Sequence, residues 1–267
     1  MNRRTFVVLA LACLSWPARA ELPAPPLDEL APTGRLRVGI GVGIAASPFW
    51  ATKDAAGKPR GVTLDLGAAL AKQLGVPVEY VVYANSGEVT DGGPKAEWDV
   101  AFVPVDAERQ KLVDFGAAYT LTESTYLVRP GAGIETLEQV DRPGVRVGGV
   151  AGTTTIRASE RTLKTVKPVA YRTVDEMVAL MKAGELDAIA LGRDSLRNLA
   201  PQVPGSRALA GHFHATMVAV AVPKGHPAAL AYVTALIEQA KADGTVRRAF
   251  DAAGLTNTAV APAGVRP

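Results

Sequence analysis

An α/β fold is what this sequence predicts, on three observations. Stretches of strand composition alternate with stretches whose apolar residues recur at helical spacing, the pattern of a chain that lays helices against a sheet. The 267 residues are 48% hydrophobic and 21% charged, enough for one large domain or two of roughly 100 to 150 residues. The single cysteine excludes a disulfide framework and a Cys-rich metal site, so the apolar core must hold the fold.

Taken in order, residues 1–20 carry Arg3 and Arg4, an apolar run from Phe6 to Trp16, and then Ala18-Arg19-Ala20. This is the order of a secretory signal peptide, with cleavage expected before Glu21. Arg3-Arg4-Thr5-Phe6 leaves both the general and the twin-arginine export routes open, and Cys13 leaves open a lipid-anchored form that begins at that residue. The segment holds three arginines and no acid, so removing it brings Lys+Arg level with the 26 Asp+Glu and the formal charge to zero. A neutral chain has no global field to attract nucleic acid or anionic lipid. After residue 20 no apolar run approaches the ~20 residues that span a bilayer, so no membrane insertion is expected.

Residues 21–34 are rich in proline and read as a tether. Residues 35–40 alternate into a first strand, 64–74 carry Leu66, Ala69, Leu70 and Leu74 at helical spacing, and 76–82 return to strand composition, which makes one βαβ unit. A second series follows, with strands at 100–103, 125–128 and 145–150, helices from about Thr155 and from Thr173, and a strand at 188–191. Thr173 and Glu176 have capping-box spacing, and Val174, Met177, Val178 and Met181 form one apolar stripe, so these methionines are core. The last helix, 227–243, puts Leu230, Val233 and Ile237 on one face and ends at Gly244; 256–267 read as a C-terminal tail.

Enzyme signatures are negative. The chain has no G-x-S-x-G, no G-x-x-x-x-G-K and no H-E-x-x-H. Gly39-Ile40-Gly41-Val42-Gly43 follows a strand, but Ser47-Pro48 comes where a dinucleotide site needs a helix N-terminus, so no nucleotide cofactor is expected. His212 and His214 are two apart with no third ligand nearby in sequence, and read as surface or cleft-lining imidazoles; His226 reads as a turn residue.

Several short segments carry more information. Arg37-Val38-Gly39, Pro48-Phe49, and Gly57-Lys58 through Gly61, Asp65 and Leu66 come first. Arg109, Val113-Asp114-Phe115 and Tyr119 then form R-x-x-x-V-D-F-x-x-x-Y. Gly144-Val145-Arg146-Val147 with Gly152-Thr153, Gly184 with Asp187-Ala188, and Val222-Pro223-Lys224-Gly225 complete the set. Their order resembles the bacterial extracellular solute-binding proteins of family 3, the amino-acid-binding subunits of ABC importers. The resemblance covers nearly all of the chain after residue 20.

It implies the two-lobed periplasmic binding protein fold (type II-like) with a ligand cleft between the lobes: lobe one at 35–121 and 220–255, and the hinge strands and lobe two at 122–219. It also implies a periplasmic, monomeric protein that takes an amino acid or other small carboxylate, closes on it, and delivers it to a membrane permease, with no cofactor and no chemistry of its own. Arg109 would fork onto the ligand carboxylate, met from the other lobe by Gly152, Thr153 and Thr154 ahead of a helix.

The chain departs from the pattern where ligand is read. Pro104 stands where a hydroxyl residue is usual, Gly192 where an Asp often binds the ligand ammonium, and Ala46 where an aromatic is usual; an acid near Gly43 is also missing. Asp194, Trp50, Tyr83 and Asn85 are the candidates to fill these gaps. Two alternatives remain: a cyclohexadienyl or arogenate dehydratase on the same fold, and a ligand-sensing partner of a receptor.

Overall fold

The computed structural model describes residues 22–42, 47–53 and 56–267. The expected signal peptide and its cleavage site, Cys13, Gly43 and Ala46 lie outside the described residues. The chain runs α1 (Leu27–Leu30), β1 (Leu36–Gly41), the two-residue strands β2 (Thr52–Lys53) and β3 (Pro59–Arg60), α2 (Val62–Leu74), β4 (Val78–Tyr83), α3 (Ser86–Gly92), β5 (Val100–Pro104), α4 (Ala107–Leu112) and β6 (Val113–Val128). It continues with β7 (Val147–Val150), α5 (Thr154–Thr162), β8 (Val169–Tyr171), α6 (Val174–Lys182), β9 (Ala188–Gly192), α7 (Arg193–Leu199), β10 (Arg207–Ala208), β11 (His214–Pro223), α8 (Pro227–Ala242) and α9 (Thr245–Ala252).

The strands lie in the order β4-β1-β5-β11-β6-β9-β7-β8, with β10 beside β6. β1 is parallel to β4 and β5, and β7 is parallel to β8 and β9, so each end of the sheet is a βαβ unit. The two ends are joined by antiparallel β6 and β11, paired from Pro223↔Val113 to His214↔Ser124; beyond Ser124, β6 pairs with β9. The buried apolar side chains divide in the same way. One set of clusters takes residues such as Leu36, Leu70, Phe102, Val220 and Phe250 together with Trp98 and Val103, and the other takes Leu127, Met177, Ile189 and Leu199 together with Tyr126 and Val147. None of these clusters mixes the two sets. The architecture is therefore two α/β lobes.

Both lobes use the same device to fix their central strands. Asp99, just before β5, accepts the Arg37 amide at 2.8 Å and ion-pairs with its guanidinium. Asp187, just before β9, accepts the Arg146 amide at 2.9 Å and holds the guanidinium groups of Arg146 and Arg129. These pairs satisfy backbone donors at the strand starts and lock the register of each parallel pair. Gly39 in β1 has a local reason as well: a Cβ there would come within 2.8 Å of the Trp98 ring.

The helix caps follow the sequence. Thr173 accepts from the Glu176 amide, as the capping box predicts, and Thr153 caps α5 by accepting from the Ile156 amide. α2 ends on Gly75 at φ 70°, the left-handed conformation that glycine reaches without strain.

Two expectations need correction. The stretch read as a tether is docked by its second half: Leu30 is fully buried in the lobe-one core, and the Glu29 carboxylate accepts the Ala229 amide at 2.7 Å at the start of α8. Burial of one large apolar residue and capping of a helix terminus override the proline-rich composition. The segment read as a tail also packs, since Ala261 donates to Tyr119 O and Ala118 donates to Val265 O, both at 2.9 Å.

Candidate ligand site

A cavity of about 270 Å³ lies between the lobes. Lobe one supplies Ile40, Val42, Phe49, Trp50, Asn85, Ser86 and Pro104; lobe two supplies Val150, Thr153, Thr154, Asp175, Leu191 and Asp194; the crossing strands supply Thr122, Ser124 and Thr216. The apolar wall is anchored from below by the motif residues themselves. Phe49 stacks on Tyr119 with ring centroids 6.0 Å apart, and Tyr119 in turn meets Phe102 edge-on at 5.8 Å. Burial pushes the Tyr119 phenol well above its ordinary range, so this ring serves as packing at neutral pH.

Trp50, Asn85, Thr153, Thr154 and Asp194 are brought to the cavity wall. Tyr83 and Gly152 are not in the wall. The Tyr83 hydroxyl donates to Glu97 at 2.6 Å, and the ring packs with the Val89 and Trp98 cluster. Gly152 faces α3 across the lobe boundary: a Cβ added to Gly87 would lie 2.9 Å from Gly152 Cα and 2.9 Å from its carbonyl.

Arg109 stands behind the wall. It is 2% exposed, and donates from Nη1 to Pro104 O at 3.0 Å and from Nη2 to Ser86 Oγ at 2.9 Å and Gly152 O at 3.2 Å. Its Nε is buried with no partner among the described residues. Burial, reinforced by the like charge of Arg157, draws the guanidinium down to about 9, which leaves it charged at neutral pH. The side chain thus ties lobe one to lobe two.

Other bonds cross the same boundary. Asp106 caps α4 by accepting the Arg109 amide and takes Arg157 Nε at 2.8 Å on its other oxygen. Burial pushes this carboxyl up, but the Arg109 amide and the Arg157 guanidinium outweigh it and hold it below its ordinary value. Asn85 caps α3 through its oxygen and donates from Nδ2 to Arg172 O at 3.1 Å, while Arg172 Nε donates to Glu88 at 2.9 Å. The lobes are in contact along one edge of the cavity.

The two histidines singled out by their spacing do not reach the cavity wall, and among the described residues no group of three or more His, Cys, Asp or Glu is placed to hold a metal ion. His212 lies 3.3 Å from Glu123 at the surface. One lining residue, Asp175, carried no signal beyond that of an acid in the first turn of a helix.

The sequence profile of the bacterial extracellular solute-binding proteins, family 3, matches residues 38–253. The chain belongs to that family. An L-arginine-binding protein of Pseudomonas aeruginosa is 28% identical over 155 residues, a match spanning 57% of this chain and 59% of that protein. Among solved structures, an ancestral amino acid-binding protein described as a precursor of cyclohexadienyl dehydratase superposes with a TM-score of 0.74 at 29% identity, covering 85% of this chain and 98% of that one. An ancestral arginine-binding protein bound to arginine gives 0.73 at 28% identity, covering 82% and 97%. A mutant of ArgBP from T. maritima, at 23% identity and a TM-score of 0.75 over 85% of this chain and 97% of that one, shows the same fold. Within the family fold, the described residues form no helix long and apolar enough to cross a membrane.

Proposed function

We propose that this family 3 protein is the periplasmic solute-binding subunit of an ABC-type importer, and that it holds an amino acid or a closely related small solute between its lobes. One observation carries the reading: the cavity wall is built from both lobes and from the strands that join them. An occupant that touches both lobes stabilises their closed arrangement over any open one, and this differential affinity is what a membrane permease can recognise. The volume of about 270 Å³ lies just under the ~300–1,000 Å³ typical of drug-sized ligands, which suits a single small metabolite and not a peptide.

The lobe boundaries that follow from this reading are 35–121 and 220–255 for lobe one and 122–219 for the hinge strands and lobe two. Periplasmic location is supported by the basic, apolar and small-residue order of residues 1–20 and by the family's extracellular role. A ligand carboxylate has a partner in the first turn of α5, where Thr154 and Thr155 line the cavity. Amides in a first helical turn have no acceptor within the helix. Arg109 supports that end through its contacts to Ser86 and Gly152.

A thermal-shift screen of the mature protein against the standard amino acids, amines and dicarboxylates tests this reading. Binding to the folded state alone raises stability by about 2.7 kcal/mol at a hundredfold excess over Kd, so a true ligand gives a rise of several degrees. Silence across the whole panel would remove the amino-acid reading, and turnover of prephenate or arogenate above background would place the protein among the dehydratases.

A further inference from the structure

Among the described residues the cavity wall presents two ionic side chains, Asp175 and Asp194, both acidic, and no lysine or arginine. Asp194 is already engaged, by Arg197 Nη1 at 3.1 Å and by Thr258 Oγ1 at 3.5 Å. Asp175 differs. It sits in the first turn of α6, is half-buried, and has no hydrogen-bond or ion-pair partner among the described residues. An acid near a helix N-terminus is ordinarily explained by the helix dipole, and a solvated face would complete that account, but this one faces a largely apolar cavity. Arg109, buried behind the wall, has both Nη groups committed to Pro104, Ser86 and Gly152.

The geometry points to Asp175 as the residue that selects a positively charged group on the ligand: an ammonium or guanidinium at the end of a stem lying along the apolar wall of Val42, Trp50 and Leu191. The assignment rests on the amino-acid-binding reading above and refines its ligand class. Closing a carboxylate into such a cavity without a countercharge is costly, and a cation that enters with the ligand removes that cost. Gly192, at the head of α7, also lines the cavity but has no side chain to offer. Asp175 thus provides from α6 an unengaged charge, whereas Asp194 on α7 is already held by Arg197 and Thr258.

The test uses L-arginine and L-citrulline, which have nearly the same shape and differ in the charge of the terminal group, with calorimetry on the mature wild-type protein and on Asp175→Asn. Wild type is expected to prefer arginine by at least tenfold, and Asp175→Asn to lose most of that preference with citrulline binding little changed. Glu176→Gln removes an acid from the same helical turn outside the cavity wall and is expected to keep the preference, which separates a local contact from the general field of the helix. Equal preference in wild type and Asp175→Asn, or a loss seen in Asp194→Asn but not in Asp175→Asn, overturns the assignment and leaves solute binding intact. Failure of both probes and of every standard amino acid to bind wild type overturns the amino-acid reading, and this assignment falls with it.

Discussion

Arg109 shows how a residue can be found from its spacing while its surroundings stay hidden. The R-x-x-x-V-D-F string marks it, but of the acceptors it meets only Pro104 O is near in sequence, while Ser86 Oγ and Gly152 O lie 23 and 43 positions away. No local pattern announces such a constellation. Because the side chain is buried, Arg109→Ala leaves these acceptors without a donor at about 1–3 kcal/mol each where water cannot replace it. Urea unfolding is therefore expected to show a clear loss of stability as well as a loss of affinity, and a variant as stable as wild type would contradict the lobe-tying role. Arg109→Lys retains the charge but not the planar fork, and its stability should fall between the two. Asp175 is the opposite case: its residue type fitted a helix start so well that nothing in the chain set it apart, and only its position on the cavity wall did so.

At the scale of elements, what the sequence revealed depended on length and period. The long helices α2 and α8 and the core strands β1, β5 and β9 followed from apolar spacing. The short helices α3, α4 and α7, of six or seven residues each, are too brief to show a period. The first half of β6 carries little strand signal because Gly116, Ala117 and Ala118 are weak strand formers; it is held by β11 pairs at Ala118 and at Val113–Phe115, with a register shift across Gly116 and Ala117. The aspartates that fix the strand starts lead to a prediction on pH. The Arg146 hydrogen bonds, together with those from Arg129, hold the Asp187 carboxyl far below its ordinary value against the opposing effect of burial. A depressed folded-state value means that the unfolded chain binds the proton more readily. The stabilisation from Asp187 is thus present above the ordinary aspartate value of about 3.9 and is lost as pH falls below it. Thermal melts of wild type and Asp187→Asn should differ most at neutral pH and converge toward pH 2, and a gap that stays constant would remove the ion pair as its cause.

For the whole molecule, the lobes meet backbone on backbone at Gly87 and Gly152. Ala at position 87 needs no unusual dihedral angle, yet its methyl group would sit 2.9 Å from Gly152 Cα and carbonyl oxygen, atoms that cannot swing aside. Gly87→Ala is therefore expected to fold normally but to hold the lobes apart, seen as a larger radius of gyration by small-angle scattering and a weaker affinity for whichever amino acid the screen identifies. An unchanged radius with saturating ligand would show that this contact does not limit closure. The two-lobed plan itself was legible, since motifs for both halves lie in order along the chain, whereas the bonds between the halves join residues up to 87 positions apart and leave no trace in local composition. One feature sets the character of any movement between the halves. β6 passes from one lobe into the other as a single strand of 16 residues, laced to β11 and then to β9. Such a connection would act as a leaf spring and not a pivot, with a rotation between the halves shared among many residues and no single peptide carrying all of it.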